Sequence, residues 1–521
     1  MSASREKKFR QDQTGSDLTG PKTAREAEER KAEKRSNLLY GIIAVAFVVL
    51  AVIAIVWRSN VIPKSAAALT IDDQKYTANE VTFYYKNTLQ GFLQNSYQYL
   101  SLFGVDMNSP LEDQVIPEQA ASLFGAEAGE TWKDFIMDQA VDQMTAMQAV
   151  LKTAEKEGFT YPDSVQAQYD SAMESLHKSA EASGVSVGKY LQNMLGRSMT
   201  EKVYGEQLMR MLKYDAYCNA HRDSLTYTDE DIDAAYAKDT NAFDRVSFES
   251  VTFPASPETK TDADGKPVEP TEAETAEAKK AAKSAADQML ADFQAGGNLK
   301  DLAEAVETAS YSEENSGEYA EGSAVSEWLF KDGMQNGNSA VLEDGGSYVL
   351  VVFHNRFREE TNSINVRHIL IAPEEGTLTE DQDGYKEEQD KLKADAKAKA
   401  EDILKQWKDG EATEDSFAAL AKENSADSST ANGGLYTQVL PGDMVPAFND
   451  WCFDSARQPG DTGVVETEYG SHVMYFVDQD IPVWKVHVTN SLKTNDYNEW
   501  FKQFTEEVPT ETHSFGMKFV G

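Results

Sequence analysis

The sequence predicts an α+β multidomain protein with a transmembrane helix near its N-terminus, and three observations support this prediction. An uncharged apolar run, 38–57, follows a basic tail. Amphipathic helical patterns then recur as far as about Tyr236. From Arg245 onwards the chain repeats a unit in which a strand, a long helix and further strands follow one another. A chain of 521 residues is long enough for several such domains.

The net charge of −39 is unevenly distributed along the chain. Residues 1–37 hold ten Lys/Arg and seven Asp/Glu, whereas the remainder holds 39 Lys/Arg and 81 Asp/Glu. Because so acidic a surface repels phosphate, nucleic acid is not expected as a partner. No His/Cys cluster has metal-ligand spacing and no glycine-rich phosphate loop stands out, so neither a metal nor a cofactor is expected. Cys218 and Cys452 are predicted to be small core residues.

The apolar run Leu38–Trp57 predicts a single-pass transmembrane helix. Twenty helical residues span about 30 Å, the thickness of the hydrocarbon core. Four basic residues between positions 30 and 35 precede the run, which predicts a cytoplasmic tail (1–37) and an extracytoplasmic location for the bulk of the chain. A cleavable signal peptide is the alternative, since Ser65–Ala68 offers a cleavage site. The length of the run favours an uncleaved anchor, because the apolar region of a signal peptide spans about 7–15 residues.

Residues 66–242 predict a mainly helical region. A short strand and a turn come first, and Thr77 to Glu80 then have the capping-box pattern that begins a helix. The helical patterns that follow are rich in Met, Tyr, Leu and Gln. Such faces are most often protein core, but they also suit an adaptable surface for varied apolar partners.

The repeated unit occupies 243–360 (the first copy) and 361–481 (the second copy). The first copy opens with VSFESVTFPA and the second with INVRHILIAP. Each continues with an acidic loop and an Ala/Lys-rich helix, and each closes with strands that follow an EWLF or a DWCF motif. The last segment, 482–521, is predicted as a strand followed by an amphipathic helix that packs on the helical region.

The second copy contains VRHILI, FAALAKENSADSS, GGLY, GDMVPAF and YGSHVMYF in this order. These motifs, between about Asn365 and Asp478, resemble the parvulin family of peptidyl-prolyl cis–trans isomerases. The whole layout resembles the extracytoplasmic foldases of the PrsA and SurA type, which combine a helical chaperone region with one or two parvulin domains. The resemblance implies that each copy is an antiparallel four-stranded sheet wrapped by helices.

The resemblance also implies three catalytic residues, His368, Asp427 and His472. The two histidines correspond to a pair that faces each other across the sheet floor, and Asp427 corresponds to a position filled by Cys or Asp in the family. Neutral histidines can hydrogen-bond each other, and an ionised Asp427 would bias their tautomers. The alternative is a hydrogen-bonded core pair that holds the sheet in shape.

Four further residues correspond to the substrate site. Leu435, Met444 and Phe448 match the walls of the proline pocket, and Thr467 matches a hydroxyl residue beside the histidines. Rotation about a peptide bond costs roughly 18–20 kcal/mol but makes and breaks no bond. An enzyme therefore needs only to bind the twisted amide more tightly than either planar form, for which an apolar pocket over a polar floor is suited. The alternative for these apolar residues is ordinary core packing.

The first copy lacks this set of residues. His368 is matched by Ser250, or by Glu249 if the register slips by one residue, and His472 is matched by Tyr348. No counterpart of GGLY or GDMVPAF is present. The first copy is therefore predicted to be a degenerate parvulin-like domain that serves as a spacer, a client-binding surface or a scaffold.

Two functions of different classes follow from these patterns. One is a membrane-anchored foldase that isomerises X-Pro bonds in unfolded exported proteins and also acts as a chaperone. The other is a holdase chaperone that binds clients through 66–242 and 482–521, with both copies retained only as structure. A purely structural cell-surface protein is a third possibility, which the pocket residues disfavour. The expected partners are unfolded exported proteins, the membrane and a second copy of the chain in a homodimer.

Overall fold

The structure of the protein is a computed structural model that describes residues 42–43, 45–52, 60–96, 100, 103–106, 109–127, 129–257, 260–261, 267–268, 270–505 and 508–521. The chain divides into two compact units, which are described separately. Unit 1 comprises the described residues up to Ser224 together with those of Tyr497–Gly521. Unit 2 comprises the described residues of Leu225–Asp496.

The N-terminal predictions fall largely on residues that are not described. The predicted cytoplasmic tail, 1–37, lies outside the described residues, and so does part of the predicted transmembrane span, 38–57. Within that span, residues 42–43 and 45–52 are helical. Among the residues that the structure describes, no helix combines the length and the apolar character needed to cross a membrane.

Along the chain the regular elements belong first to unit 1, then to unit 2, and at the C-terminal end again to unit 1. The strands are β1 (Ala67–Ile71), β2 (Gln74–Thr77), β3 (Arg245–Pro254), β4 (Lys260–Thr261), β5 (Pro267–Val268), β6 (Ser310–Gly317), β7 (Ser339–Asp344), β8 (Ser347–Phe357), β9 (Asn362–Ile371), β10 (Leu435–Val439), β11 (Thr462–Thr467), β12 (Gly470–Pro482) and β13 (Thr510–Thr512). The α-helices are α1 (Val61–Ser65), α2 (Ala78–Ser96), α3 (Glu118–Phe124), α4 (Trp132–Glu157), α5 (Asp163–Ala182), α6 (Val187–Leu195), α7 (Glu201–Ser224), α8 (Asp229–Lys238), α9 (Glu272–Gln294), α10 (Leu299–Glu304), α11 (Ala324–Leu329), α12 (Tyr385–Asp409), α13 (Glu414–Asn424), α14 (Pro446–Cys452), α15 (Val483–Lys502) and α16 (Ser514–Met517).

Unit 1 is helical around a three-stranded antiparallel sheet in which β1 lies between β2 and β13. The predicted capping box is confirmed, because the backbone N–H of Thr77 donates to the Glu80 carboxylate at 2.7 Å and the Glu80 N–H donates to the Thr77 hydroxyl at 3.4 Å. The two ends of the unit meet in this sheet, since Leu69 of β1 lies opposite Thr512 of β13. The C-terminal residues are thus part of the unit 1 core, where Val520 is buried.

Unit 2 contains two four-stranded antiparallel sheets with the same order of equivalent strands. The first copy has the order β6-β3-β8-β7, and the second copy has the order β10-β9-β12-β11. In each copy the long helix and a shorter one pack on one face of the sheet, α9 and α10 in the first and α12 and α13 in the second. We call this face of the second-copy sheet the helix face and the opposite one the site face.

Helices α15 and α8 differ from the sequence predictions. The last segment does not begin with a strand, because α15 is helical from Val483 directly after β12. Its β-branched residues suggested a strand, but Trp484 and Val488 are instead buried in a cluster with Ile232 of α8 and with Phe243. That cluster groups α8 and the first half of α15 with unit 2, although the sequence assigned both to the helical region.

Gly516 tests the packing of the C-terminal residues in unit 1. A Cβ at this position would lie 2.0 Å from the carbonyl oxygen of Ala67, so Gly516→Ala is expected to lower the free energy of unfolding by about 1–3 kcal/mol. Gly91→Ala is the matched control, because Gly91 lies within α2 with no atom within 4 Å of the added Cβ. That variant should be neutral or stabilising by up to about 1 kcal/mol. Urea unfolding followed by helical circular dichroism compares the two, and equal effects would contradict the packing.

Candidate active site

The site is built on the antiparallel pair β9 and β12 in the second copy. His368 of β9 lies opposite Met474, and His472 of β12 lies opposite Leu370. The two histidines are therefore diagonal neighbours on one face of the sheet. Their Nδ1 atoms are 3.1 Å apart, and their rings lie 5.3 Å apart at an angle of 22°.

Both imidazoles are buried, with His368 2% and His472 5% exposed. Burial disfavours a charged ring and lowers the pKa of His368, against an opposing effect of Asp427. Burial and the neighbouring His368 lower the pKa of His472 to about 4. The histidine pair is therefore polar but uncharged at neutral pH.

Asp427 lies at the far side of His368. Its Oδ1 is 3.2 Å from His368 Nε2 and accepts a hydrogen bond from the Tyr436 hydroxyl at 2.9 Å. It also accepts from the backbone N–H of Ser429 at 2.8 Å and from the Ser429 hydroxyl. Burial alone would raise the pKa of Asp427, but the Ser429 hydrogen bonds, with smaller contributions from His368 and Tyr436, outweigh it and lower the pKa to about 2. The carboxylate is ionised at neutral pH and can only accept hydrogen bonds.

An ionised Asp427 fixes the direction of the whole hydrogen-bond chain. It requires a proton on His368 Nε2, which leaves His368 Nδ1 as an acceptor. His472 must then carry its proton on Nδ1, because the two Nδ1 atoms face each other. His472 Nε2 is left as an acceptor for the Thr467 hydroxyl, which lies 2.8 Å away. Thr467 thus lies beside the histidines, as the sequence predicted, and the chain is Thr467→His472→His368→Asp427.

Phe448 and Met444 lie on the site face. The Phe448 ring is 2% exposed and meets both imidazoles edge to face, with each pair of centroids 5.4 Å apart and interplanar angles of 81° to His368 and 87° to His472. Met444 is partly buried against the same apolar cluster. Two of the three predicted pocket residues therefore share the face that carries the histidine pair.

The prediction that Leu435 lines the pocket is wrong. Leu435 lies opposite Arg367, whose guanidinium binds Glu414 at the start of α13 on the helix face. Because side chains alternate between the faces of a strand, Leu435 belongs to the helix face and the next residue, Tyr436, belongs to the site face. The Tyr436 ring stacks on His368 with a centroid distance of 5.0 Å.

Sequence reasoning missed Tyr436 and Ser429. The parvulin family that the second copy resembles often has GGxLG where this chain reads GGLYT, so Tyr436 corresponds to the leucine of that pattern. Counting from the glycine pair, together with strand alternation, would have selected Tyr436. Ser429 left no comparable signal, since it acts through a short 3-10 helix, Ser428–Asn432, that Asp427 caps.

The first copy has no histidine pair at the equivalent positions. Ser250 lies opposite Val351 as His368 lies opposite Met474, so the match of Ser250 to His368 agrees with the register and the alternative, Glu249, does not. Val351 is thus the counterpart of Met474, and His472 precedes Met474 by two residues. The counterpart of His472 is therefore Val349, which precedes Val351 by two residues, and not Tyr348. The predicted match to Tyr348 is therefore wrong by one residue, and Tyr348 packs with the helices on the other face.

The comparisons with known proteins concern mainly this region of the chain. Residues 348–480 match the family of the PPIC-type PPIase domain. The second copy is therefore similar to PPIC-type PPIase domains. The family match begins in β8, which pairs within the first-copy sheet, whereas the second-copy sheet begins at Asn362. Since the strand pairing separates the two sheets, we take β9 as the first strand of this domain.

The similar proteins include foldases. The chain is 36% identical over 116 residues to foldase protein PrsA 1 of Listeria innocua, which covers 22% of this chain and 30% of that protein. The chain thus spans less than a third of the curated relative. A crystal structure of PrsA from Bacillus anthracis is 21% identical, with 31% of this chain and 58% of that chain covered at a TM-score of 0.18. A structure of foldase protein PrsA from Streptococcus pneumoniae is 14% identical, with 72% and 87% covered at a TM-score of 0.19.

These findings confirm the resemblance drawn from the motifs. The parvulin-type, PrsA/SurA-like resemblance of the chain rests on the matched PPIase domain and on the curated PrsA relative. The structural arrangement adds what a match alone does not give, namely the faces on which the individual side chains lie.

Tyr436→Phe tests the electrostatics of the site, because it removes the hydrogen bond to Asp427 and keeps the ring on His368. The pKa of Asp427 should rise from about 2 towards the usual 3.8. A depressed carboxyl pKa contributes stability above about pH 4 that is lost as the pH falls towards 2. The variant should therefore be about 1 kcal/mol less stable at pH 7 and lose less stability on acidification.

Carboxyl ¹³C NMR titration measures the pKa of Asp427, and urea unfolding measures the stability. Tyr475→Phe is the matched control, since Tyr475 packs in the apolar cluster on the helix face. An Asp427 that titrates alike in both variants would contradict the hydrogen-bond chain.

Proposed function

We propose that the second copy catalyses cis–trans isomerisation of X-Pro peptide bonds. The observation that supports this most is the position of Phe448, which stands edge-on over a pair of buried histidines in a PPIC-type PPIase domain. His368, Asp427 and His472 form the proposed catalytic floor. Met444, Phe448 and Thr467 contribute to the proposed substrate site, and Tyr436 takes the place first assigned to Leu435.

The proposed mechanism makes no covalent bond. Met444 and Phe448 hold the prolyl ring by apolar contact and exclude water from the neighbouring amide. A twisted amide is less polar than a planar one, so it loses less on leaving water, and the barrier to rotation falls. The neutral His368–His472 pair provides a polar floor of fixed direction for the group that rotates. Asp427 acts through His368 by holding its proton on Nε2, and it is not a nucleophile.

We further propose the setting in which this reaction occurs. Leu38–Trp57 would anchor the chain in the cell membrane with residues 1–37 in the cytoplasm, which places the PPIase domain outside. Its clients would be unfolded exported proteins that contain X-Pro bonds, and its relatives with the name foldase support this setting. We also propose that two copies of the chain form a homodimer.

Chaperone activity is the second proposed function and concerns unit 1. Outside the predicted transmembrane span, five large apolar side chains among the described residues of this unit are at least half exposed, namely Val61, Val115, Leu123, Met194 and Phe515. Exposed apolar side chains suit contact with unfolded clients, although single ones are common on protein surfaces. A holdase in which the second copy is only structural is the competing function, and the following assay separates the two.

Met444→Ala in the full chain, purified in mild detergent, tests the isomerase. A protease-coupled assay with X-Pro tetrapeptides should give a kcat/KM about 10-fold or more below that of the unchanged chain, because the wall of the pocket is lost. Leu435→Ala is the matched control, since it removes a half-buried side chain from the helix face of the same sheet. That variant should remain within about 2-fold of the unchanged chain. No acceleration by a folded, unchanged chain would refute the isomerase and leave the holdase.

A further inference from the structure

The first copy makes a partly buried polar contact with the helix that follows the second copy. Arg245 begins β3 and is only 6% exposed. Its Nη2 donates to Nε2 of His487 at 2.9 Å and lies 2.7 Å from a carboxylate oxygen of Glu318. Glu318 directly follows β6 of the first copy, whereas His487 belongs to α15.

His487 is held neutral at this contact. Burial and the Arg245 guanidinium lower its pKa, while the carboxylates of Glu318 and Asp443 act in the opposite direction. A neutral ring can accept from the guanidinium through Nε2, and the proton then resides on Nδ1. The effect of Asp443 shows that the turn of the second copy lies within electrostatic reach of His487.

The contact borders a cavity of about 240 Å³ that both copies line. The first copy contributes Arg245 and Glu318, and the second copy contributes Leu440, Pro441 and Asp443. The last three belong to the turn that immediately precedes Met444. Met444, a wall of the proposed proline pocket, is therefore the residue directly after a turn that faces the first copy.

Hydrogen bonds make the turn 440–443 rigid and connect it to α14. The Asp443 carboxylate accepts from the backbone N–H of Leu440 at 2.8 Å, and the Gly442 N–H donates to the side chain of Asn449 at 2.7 Å. Asn449 follows Phe448 in α14. A displacement of this turn would therefore shift both apolar walls of the pocket.

We propose that the first copy is a positioning domain for the PPIase pocket. Arg245 holds His487, and together they fix one part of the cavity wall that the turn 440–443 also lines. Arg245 and His487 touch no reacting atom, so they are positioning residues and not catalytic ones. This inference deepens the proposed isomerase site, and it assigns a task to a copy that lacks the polar floor.

Arg245→Met tests the proposal in the full chain, because it removes the guanidinium and keeps an apolar stem. The ¹H–¹³C methyl resonance of Met444, assigned through Met444→Leu, is expected to move. The KM for an X-Pro tetrapeptide should rise about 3- to 10-fold, with kcat unchanged within about 2-fold, since the pocket is displaced and the floor is not.

Arg356→Met is the matched control. Arg356 is a partly buried arginine of the first copy, which bonds Asp244, Thr240 and the Phe330 carbonyl and does not line the cavity. Arg356→Met should leave the Met444 resonance in place, and its KM should remain within about 2-fold of that of the unchanged chain. If both variants move the resonance alike, or if neither does, the proposal is overturned.

Substitution of His487 provides a rescue test. His487→Gln keeps an acceptor for Arg245 and should resemble the unchanged chain, whereas His487→Leu should resemble Arg245→Met. Equal behaviour of the two variants would contradict the role of the acceptor. The Met444 resonance needs no turnover, so it decides the positioning role even if the chain proves inactive and the proposed function fails.

Discussion

The contact between the Nδ1 atoms of His368 and His472 is the constraint on which the rest of the site depends. Two facing nitrogens at 3.1 Å require that one carries a proton and the other does not. The ionised Asp427 decides which, because it can only accept from His368. Tyr436 and Ser429 in turn hold Asp427 ionised, so a directed chain of hydrogen bonds runs beneath Phe448.

The sheet alone does not create this arrangement. Both copies pair their strands in the same order, yet the first copy places Ser250 and Val349 where the second has its histidines. What distinguishes the second copy is a set of polar side chains on a few positions of β9, β12 and the adjoining 3-10 helix. The same fold therefore carries a polar floor in one copy and, in our proposal, positions a neighbour in the other.

The sequence predicted the two copies, the capping box and the residues that meet on the floor, because these depend on composition, periodicity and recognisable motifs. It failed where one residue of register decides the face of a strand. Leu435 was assigned to the pocket although Tyr436 occupies the site face, and Tyr348 was taken for Val349. It also failed at Val483, since burial against Ile232 and Phe243, which are distant in sequence, overrides the strand preference of β-branched residues. The spatial meeting of Arg245 with His487 left no local signal at all.

The tautomers of the two histidines test this account most directly. Long-range ¹H–¹⁵N spectra of the full chain at pH 7, assigned with His368→Asn and His472→Asn variants, report which ring nitrogen carries each proton. The account predicts a proton on Nε2 of His368 and on Nδ1 of His472, with both rings neutral. The reverse pair of tautomers, rapid exchange between the two, or a charged ring would contradict the directed chain that Asp427 is proposed to set.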